Sequence, residues 1–176
     1  MAGNFSAKSE TVPVKQFELE IRRVFNAPLD LVWKAWTESD RLAQWWGPKG
    51  CTMTVSNIDF RVGGLFHYAM LSPNGRNMWG RFIYSEVEPR KRLVFINSFS
   101  DEAGGITRNP MSESWPLEVK NTLTFSEKEG KTTLIMQGSP HNATAEEHRT
   151  FSSNRENLQM GMAGTFEQLD QYLATL

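Results

Sequence analysis

Cysteine is almost missing from this 176-residue chain, where Cys51 stands alone. A single thiol excludes an internal disulfide and any cysteine-based zinc site, and it fits a reducing compartment, so a cytoplasmic location is expected. With no histidine or second cysteine nearby to activate it, Cys51 reads as a buried structural thiol. Histidine is scarce too: His67, His141 and His148 are far apart in sequence, and no metal or other cofactor is expected from them. Charge of one sign is also lacking. Nineteen Lys and Arg against 20 Asp and Glu leave a formal net charge of -1, with the basic residues scattered, so no nucleic-acid partner is expected. No stretch approaches the roughly 20 apolar residues that span a bilayer, and the first sixteen residues lack the apolar run of a secretory signal, so no membrane insertion is expected. A nucleophile elbow, a P-loop and a dinucleotide fingerprint are absent as well. The length fits one domain with its own hydrophobic core, read as residues 17–176 after a flexible segment 1–16.

What is present is patterned. Phe17, Leu19, Ile21 and Phe25 alternate with polar residues at a period of two, which predicts a half-buried strand with Arg23 on its inner face. Asn26 reads as a helix cap with Pro28 in the first turn, and Leu29, Val32, Trp33 and Trp36 define one helical face. Leu42, Trp45 and Trp46 predict a second short helix, stopped by Gly47 and Pro48. Five or six strand-like segments follow, with turn chemistry between them at residues 63–64, 72–75, 88–91 and 128–130. These connections are too short for helical crossovers, so a largely antiparallel meander is expected. Residues 101–116 form a longer connection rich in Gly, Ser, Asn and Pro, readable as a surface loop or a lid. Thr144 and Glu147 make a capping box that opens one long last helix, with an apolar stripe through Phe151, Leu158, Met162, Phe166, Leu169 and Leu173. Asn154 interrupts that stripe. Gly161 and Gly164 each cost a helix about 1 kcal/mol against alanine, so they are expected to make room where the helix crosses the sheet or borders a cavity.

Several short motifs occur in a fixed order: Phe25-Asn26-Ala27-Pro28, Val32-Trp33-Lys34-Ala35-Trp36, Trp45-Trp46-Gly47-Pro48, Asp59 through Gly64, Pro89 through Phe95, and Gly130 through Leu134. In that order and spacing the chain resembles the family named after the activator of the heat-shock-protein-90 ATPase, within the START-like (SRPBCC) helix-grip superfamily. The resemblance runs from about Phe17 to Leu173. It implies an α+β helix-grip fold: a curved antiparallel sheet of six to seven strands wrapped around a long C-terminal helix, with two short helices after the first strand. It also implies a gap between sheet and helix that can hold a small apolar or amphipathic molecule. One departure concerns the last helix, where the family often carries Gly-Trp and this chain has Gly161-Met162, so the gap should be shaped differently here.

Strand parity places Phe66, Tyr68 and Met70 on the inner face of one strand and Phe95, Asn97 and Phe99 on that of another, facing Leu158 and Met162. Trp79 is expected to approach the same space. Tyr68 and Asn97 are the polar groups suited to orient a ligand. For any one of these aromatics, plain core is the stronger reading than ligand contact. Arg23 and Asp59 stand at inward-looking positions and could pair as a structural bridge or as the polar end of the pocket, while Asp59 could instead hold Arg61 or the turn amides near Gly63. Three functions fit these residues. The leading one is binding of a small apolar ligand. A cyclase or hydrolase would use the same pocket with His67, Tyr68, Asp59 or Arg81, although adjacent strand residues face opposite ways. Regulation of a heat-shock chaperone ATPase is implied by the family name, but in the eukaryotic activator a separate chaperone-binding domain precedes this one, and sixteen residues cannot hold it. Exposed strand edges make a homodimer possible in principle.

Overall fold

A computed structural model describes residues 18–176; the expected terminal segment 1–16 and Phe17 lie outside the described residues. The elements run β1 (Leu19–Phe25), α1 (Leu29–Thr37), α2 (Ser39–Trp45), β2 (Thr52–Ile58), β3 (Leu65–Leu71), β4 (Asn77–Glu88), β5 (Arg92–Ser100), β6 (Ile106–Thr107), β7 (Glu118–Lys128), β8 (Lys131–His141), α3 (Ala145–Ser153) and α4 (Arg155–Leu173). All strand pairs are antiparallel, in the order β1-β8-β7-β5-β4-β3-β2, with β6 attached to β5. The short connections predicted this antiparallel meander and the family resemblance implied the curved helix-grip sheet, with one strand more here because β6 forms inside the 101–116 segment. That segment is therefore partly ordered as a hairpin, closed by the Gly105 amide donating to Asp101 Oδ1 at 2.8 Å.

Period-two burial decides which face meets the helices. Phe66, Tyr68 and Met70 of β3, Phe82 and Tyr84 of β4, Leu93 and Phe95 of β5, Leu123 and Phe125 of β7, and Leu134 and Met136 of β8 join one core with Trp33, Trp36, Leu42, Trp45, Phe166 and Leu169 of the helices. Trp36 is the hub. It meets Trp45 at 4.8 Å, Trp46 at 5.8 Å and Phe166 at 6.2 Å between ring centroids, in tilted or edge-to-face geometry. A smaller cluster joins Leu19, Val119 and Phe151 at the other end of the sheet.

Two glycines are required by close approach. A Cβ on Gly64 would stand 1.8 Å from the Asp59 carbonyl oxygen, so only glycine closes the turn into β3. Gly47, at φ +117°, leaves room for the Met70 thioether, and its carbonyl accepts from Thr165 Oγ1 at 3.1 Å and Gln168 Nε2 at 2.6 Å of α4. The stop after α2 is thus clamped to the last helix.

Four sequence expectations change. The cap of α1 is Pro28 rather than Asn26, and the Leu29 amide at the helix start donates to the Glu127 carboxylate of β7 at 2.5 Å, a distant anion at a helix N-terminus. The expected single last helix is two, α3 and α4, divided at Asn154, whose side chain donates to the Thr150 carbonyl at 2.8 Å. Gly161 and Gly164 do not make room for a crossing, because a Cβ at either would meet nothing within 4 Å. Cys51 is half-buried against the core rather than buried. The capping box on α3 is present as read, with both Thr144–Glu147 hydrogen bonds at 3.2 Å. No helix among the described residues is long and apolar enough to cross a membrane.

Candidate functional site

The two halves of α4 meet the sheet differently. From Thr165 onward Thr165, Phe166, Leu169 and Leu173 are buried, whereas from Arg155 to Gly164 no residue is; Arg155, Leu158, Met162 and Gly164 are half-buried there, and of these Leu158 and Met162 line the space toward the sheet. The space left beneath that first half is not filled. A helix-side recess of about 160 Å³ is lined by Leu158 and Met162, with Leu19, Trp46, Phe95, Met136 and Phe151 around it and Asn97 and Asn121 as its polar side chains. A sheet-side recess of about 220 Å³ adjoins it, lined by Tyr68, Met70, Met78, Trp79 and Phe99, with Pro48, Pro116 and Leu117 at its edge. Asn97, Trp115 and Val119 belong to both linings, so these three residues stand where the two recesses meet.

The predicted residues sort cleanly. Leu158, Met162, Phe95 and Asn97 line the helix-side recess, and Tyr68, Met70, Asn97 and Phe99 line the sheet-side one. Phe66 does not line either: it is fully buried, stacked on Tyr68 at 4.9 Å and edge-on to Phe82 at 5.2 Å, so it backs the tyrosine. Trp79 borders the sheet-side recess, but its strand parity is opposite to that of Met78 and Phe82, and its indole stacks on His67 at 5.0 Å. Trp115, Asn121, Met136 and Val119 escaped the sequence reading. Val119 and Asn121 had a signal available, since β7 buries them in alternation with exposed Lys120.

The polar groups of the site have fixed roles. Asn121 Nδ2 donates to the Val119 carbonyl at 3.3 Å and to Asn97 Oδ1 at 2.7 Å. Because a carbonyl can only accept, the Asn121 amide nitrogen must point that way, Asn97 must present its oxygen to it, and the Asn97 NH₂ is left over. Among the described residues no protein group accepts from it or pairs with the Tyr68 hydroxyl. Tyr68 lies on Gly80, where a Cβ would come within 2.5 Å of its ring, so glycine is what lets the phenol lie across β4. Burial pushes the Tyr68 hydroxyl up to about 12, and the nearby Trp46 indole N–H, which closes no well-formed hydrogen bond of its own, works weakly the other way. Tyr68 is therefore a protonated phenol throughout the neutral range.

No Lys, Arg, Asp, Glu or His lines either recess. The groups weighed for acid–base chemistry lie elsewhere. His67 faces away from the helices with its Nε2 3.1 Å from the Asp101 carbonyl, and Arg81 Nη1 donates to the Gly104 carbonyl at 2.7 Å. Asp59 pairs with Arg61 at 2.8 Å on an exposed turn, one of the alternatives left open by the sequence. Arg23 finds its carboxylate in Asp170 of α4, not in Asp59, and the pair is about one-third exposed. Among the described residues no three His, Cys, Asp or Glu side chains gather as metal ligands would.

The loop that carries Trp115 is fastened to α3. Arg108 Nη1 meets Glu147 Oε1 at 2.8 Å and reaches the Trp115 carbonyl at 3.4 Å, while Thr150 Oγ1 donates to Ser114 Oγ at 2.9 Å. The indole itself tilts onto Phe151 at 5.5 Å. The Arg108 guanidinium holds the Glu147 carboxyl below its ordinary value, against the opposing pull of burial and with help from the Thr144 amide.

A family model described as Activator of Hsp90 ATPase homolog 1-like protein matches residues 26–174. Among solved structures, protein Ms6760 from Mycobacterium smegmatis is 27% identical, with 86% of this chain and 87% of that chain covered and a TM-score of 0.68. A protein from Arthrobacter aurescens is 25% identical, with 89% and 86% covered and a TM-score of 0.73. DynU16, a protein of the dynemicin biosynthetic locus, shares the fold at 24% identity and a TM-score of 0.61, and the match covers 89% of this chain but 47% of that one. No curated protein matches the chain.

Proposed function

The chain belongs to the Activator of Hsp90 ATPase homolog 1-like family, and from that premise we propose that it binds a small apolar or amphipathic molecule between the first half of α4 and the sheet. The observation that carries this reading is the unfilled, uncharged space under a helix whose second half is fully packed. The core beside them is densely packed with aromatic side chains, and the two adjoining apolar recesses leave room for a guest at its edge. Each recess is smaller than the roughly 300–1,000 Å³ of a drug-sized pocket, so one recess suits a small ring system and a larger ligand has to displace Trp115. Binding is favoured over catalysis because, of the groups weighed for acid–base work, Tyr68 alone borders the recesses, and its proton is held too tightly for general-base chemistry.

Native mass spectrometry of freshly purified protein, followed by denaturation and identification of what is released, tests the proposal. A co-purifying apolar compound is the expected result. A protein that is empty and gains no thermal stability from any member of a lipid and polyketide library contradicts it.

A further inference from the structure

The polar end of the site offers two free donors, the Asn97 N–H and the Tyr68 O–H, and this bears on what it can hold. Asn97 has its oxygen consumed by Asn121, whose orientation is in turn fixed by the Val119 carbonyl, so Asn97 can offer only N–H. Asn121 Oδ1 lies toward the backbone of β8, 3.2 Å from where a Gly138 Cβ would stand. The Tyr68 hydroxyl, in the lining of the sheet-side recess, closes no hydrogen bond among the described residues, so its O–H is free to donate into that recess. Around these donors stand Met70, Phe95, Phe99 and Met162, with no cation to neutralise an anion and no carboxylate to accept from an ammonium group.

Resting on the container reading, we infer that the recesses select a neutral ligand bearing a carbonyl-type acceptor oxygen (a ketone, quinone, ester or lactone on an apolar or aromatic frame), which receives the Asn97 N–H and the Tyr68 O–H. An ionised carboxylate is excluded because burying it beside two neutral donors does not replace its hydration. A pure hydrocarbon fits the walls but covers both donors without pairing them.

Three probes of one shape test this: acetylnaphthalene, ethylnaphthalene and naphthoate, titrated by calorimetry and tryptophan fluorescence. The ketone should bind about five- to tenfold more tightly than the ethyl compound, and the carboxylate more weakly than either. Tyr68→Phe and Asn97→Leu should each remove most of the ketone's advantage while leaving ethylnaphthalene affinity in place. Isotope-edited infrared spectroscopy of carbonyl-labelled acetylnaphthalene gives a readout that does not depend on the folding of either variant. On the wild-type protein its C=O stretch should fall below its position in hexane, as a donated hydrogen bond requires. Equal binding of ketone and ethyl compound with an unshifted carbonyl, or preferred binding of naphthoate, overturns the donor inference and leaves the container reading standing. Binding of none of the three overturns both.

Discussion

The two halves of α4 share one helix and one sheet, yet one is core and the other is a roof. From Thr165 to Leu173 the helix is pressed against β1, α1 and α2, with Phe166 meeting Phe25 edge-on at 5.8 Å and Thr165 and Gln168 holding the Gly47 carbonyl. From Arg155 to Gly164 it carries two glycines, an exposed Met160 and only two half-buried apolar residues. Fold stability is concentrated at the closed end, which frees the open end to keep volume. The break at Asn154 and the Arg108–Glu147 pair hold the open end in place from outside the space, without filling it.

Cutting into the closed end should have the largest effect. Phe166→Ala is expected to cost about 3–5 kcal/mol, whereas Leu158→Ala at the open end should cost only about 1 kcal/mol, both read from urea unfolding. Similar losses at the two sites would erase the distinction. Filling the open end is the next test: Met162→Trp, which installs the side chain the family often carries, should weaken acetylnaphthalene binding by about tenfold or more while moving the unfolding midpoint little. Retained affinity in a folded variant would mean that the ligand space lies elsewhere.

Acid should loosen the open end first. Because the folded-state pKa of Glu147 is lowered from 4.5, the carboxylate stabilises the protein above that value, and the contribution is lost as pH falls through the lower, folded-state pKa. Arg108→Ala should therefore lose less stability than wild type between about pH 6 and about pH 3, compared by urea midpoints. An identical acid dependence would remove the pair from the account. The smallest expected change is a gain. Gly161→Ala and Gly164→Ala meet open space at helical positions, so each should add up to about 1 kcal/mol with ligand affinity unchanged, and a loss of stability would reveal packing there.

Local pattern made the architecture readable, and long-range partners set the limit. The alternation in β1, β3 and β5, the turn glycines and the Thr144 capping box each speak through neighbouring residues, so they could be read directly. The cap on α1 could not, because its carboxylate comes from Glu127, 98 residues away. Asn154 interrupts the stripe from Phe151 to Leu173, but the apolar steps resume beyond it on the same face, so one helix was expected where α3 and α4 are two. Parity also located Tyr68, Met70, Phe95, Asn97 and Phe99 at the recesses, but it could not tell a wall from what stands behind it, as Phe66 shows. Trp115 was out of reach for a different reason: a loop residue has no period, and its position follows from the Arg108 and Ser114 contacts with α3.

Methionine methyl NMR tests the central claim most directly. Met70, Met78, Met136 and Met162 line the recesses, while Met53, Met111 and Met160 lie outside them. Titration with acetylnaphthalene should shift the first four methyl resonances together, with the other three nearly still. Shifts confined to Met53, Met111 or Met160, with the recess methyls unmoved, would contradict the account.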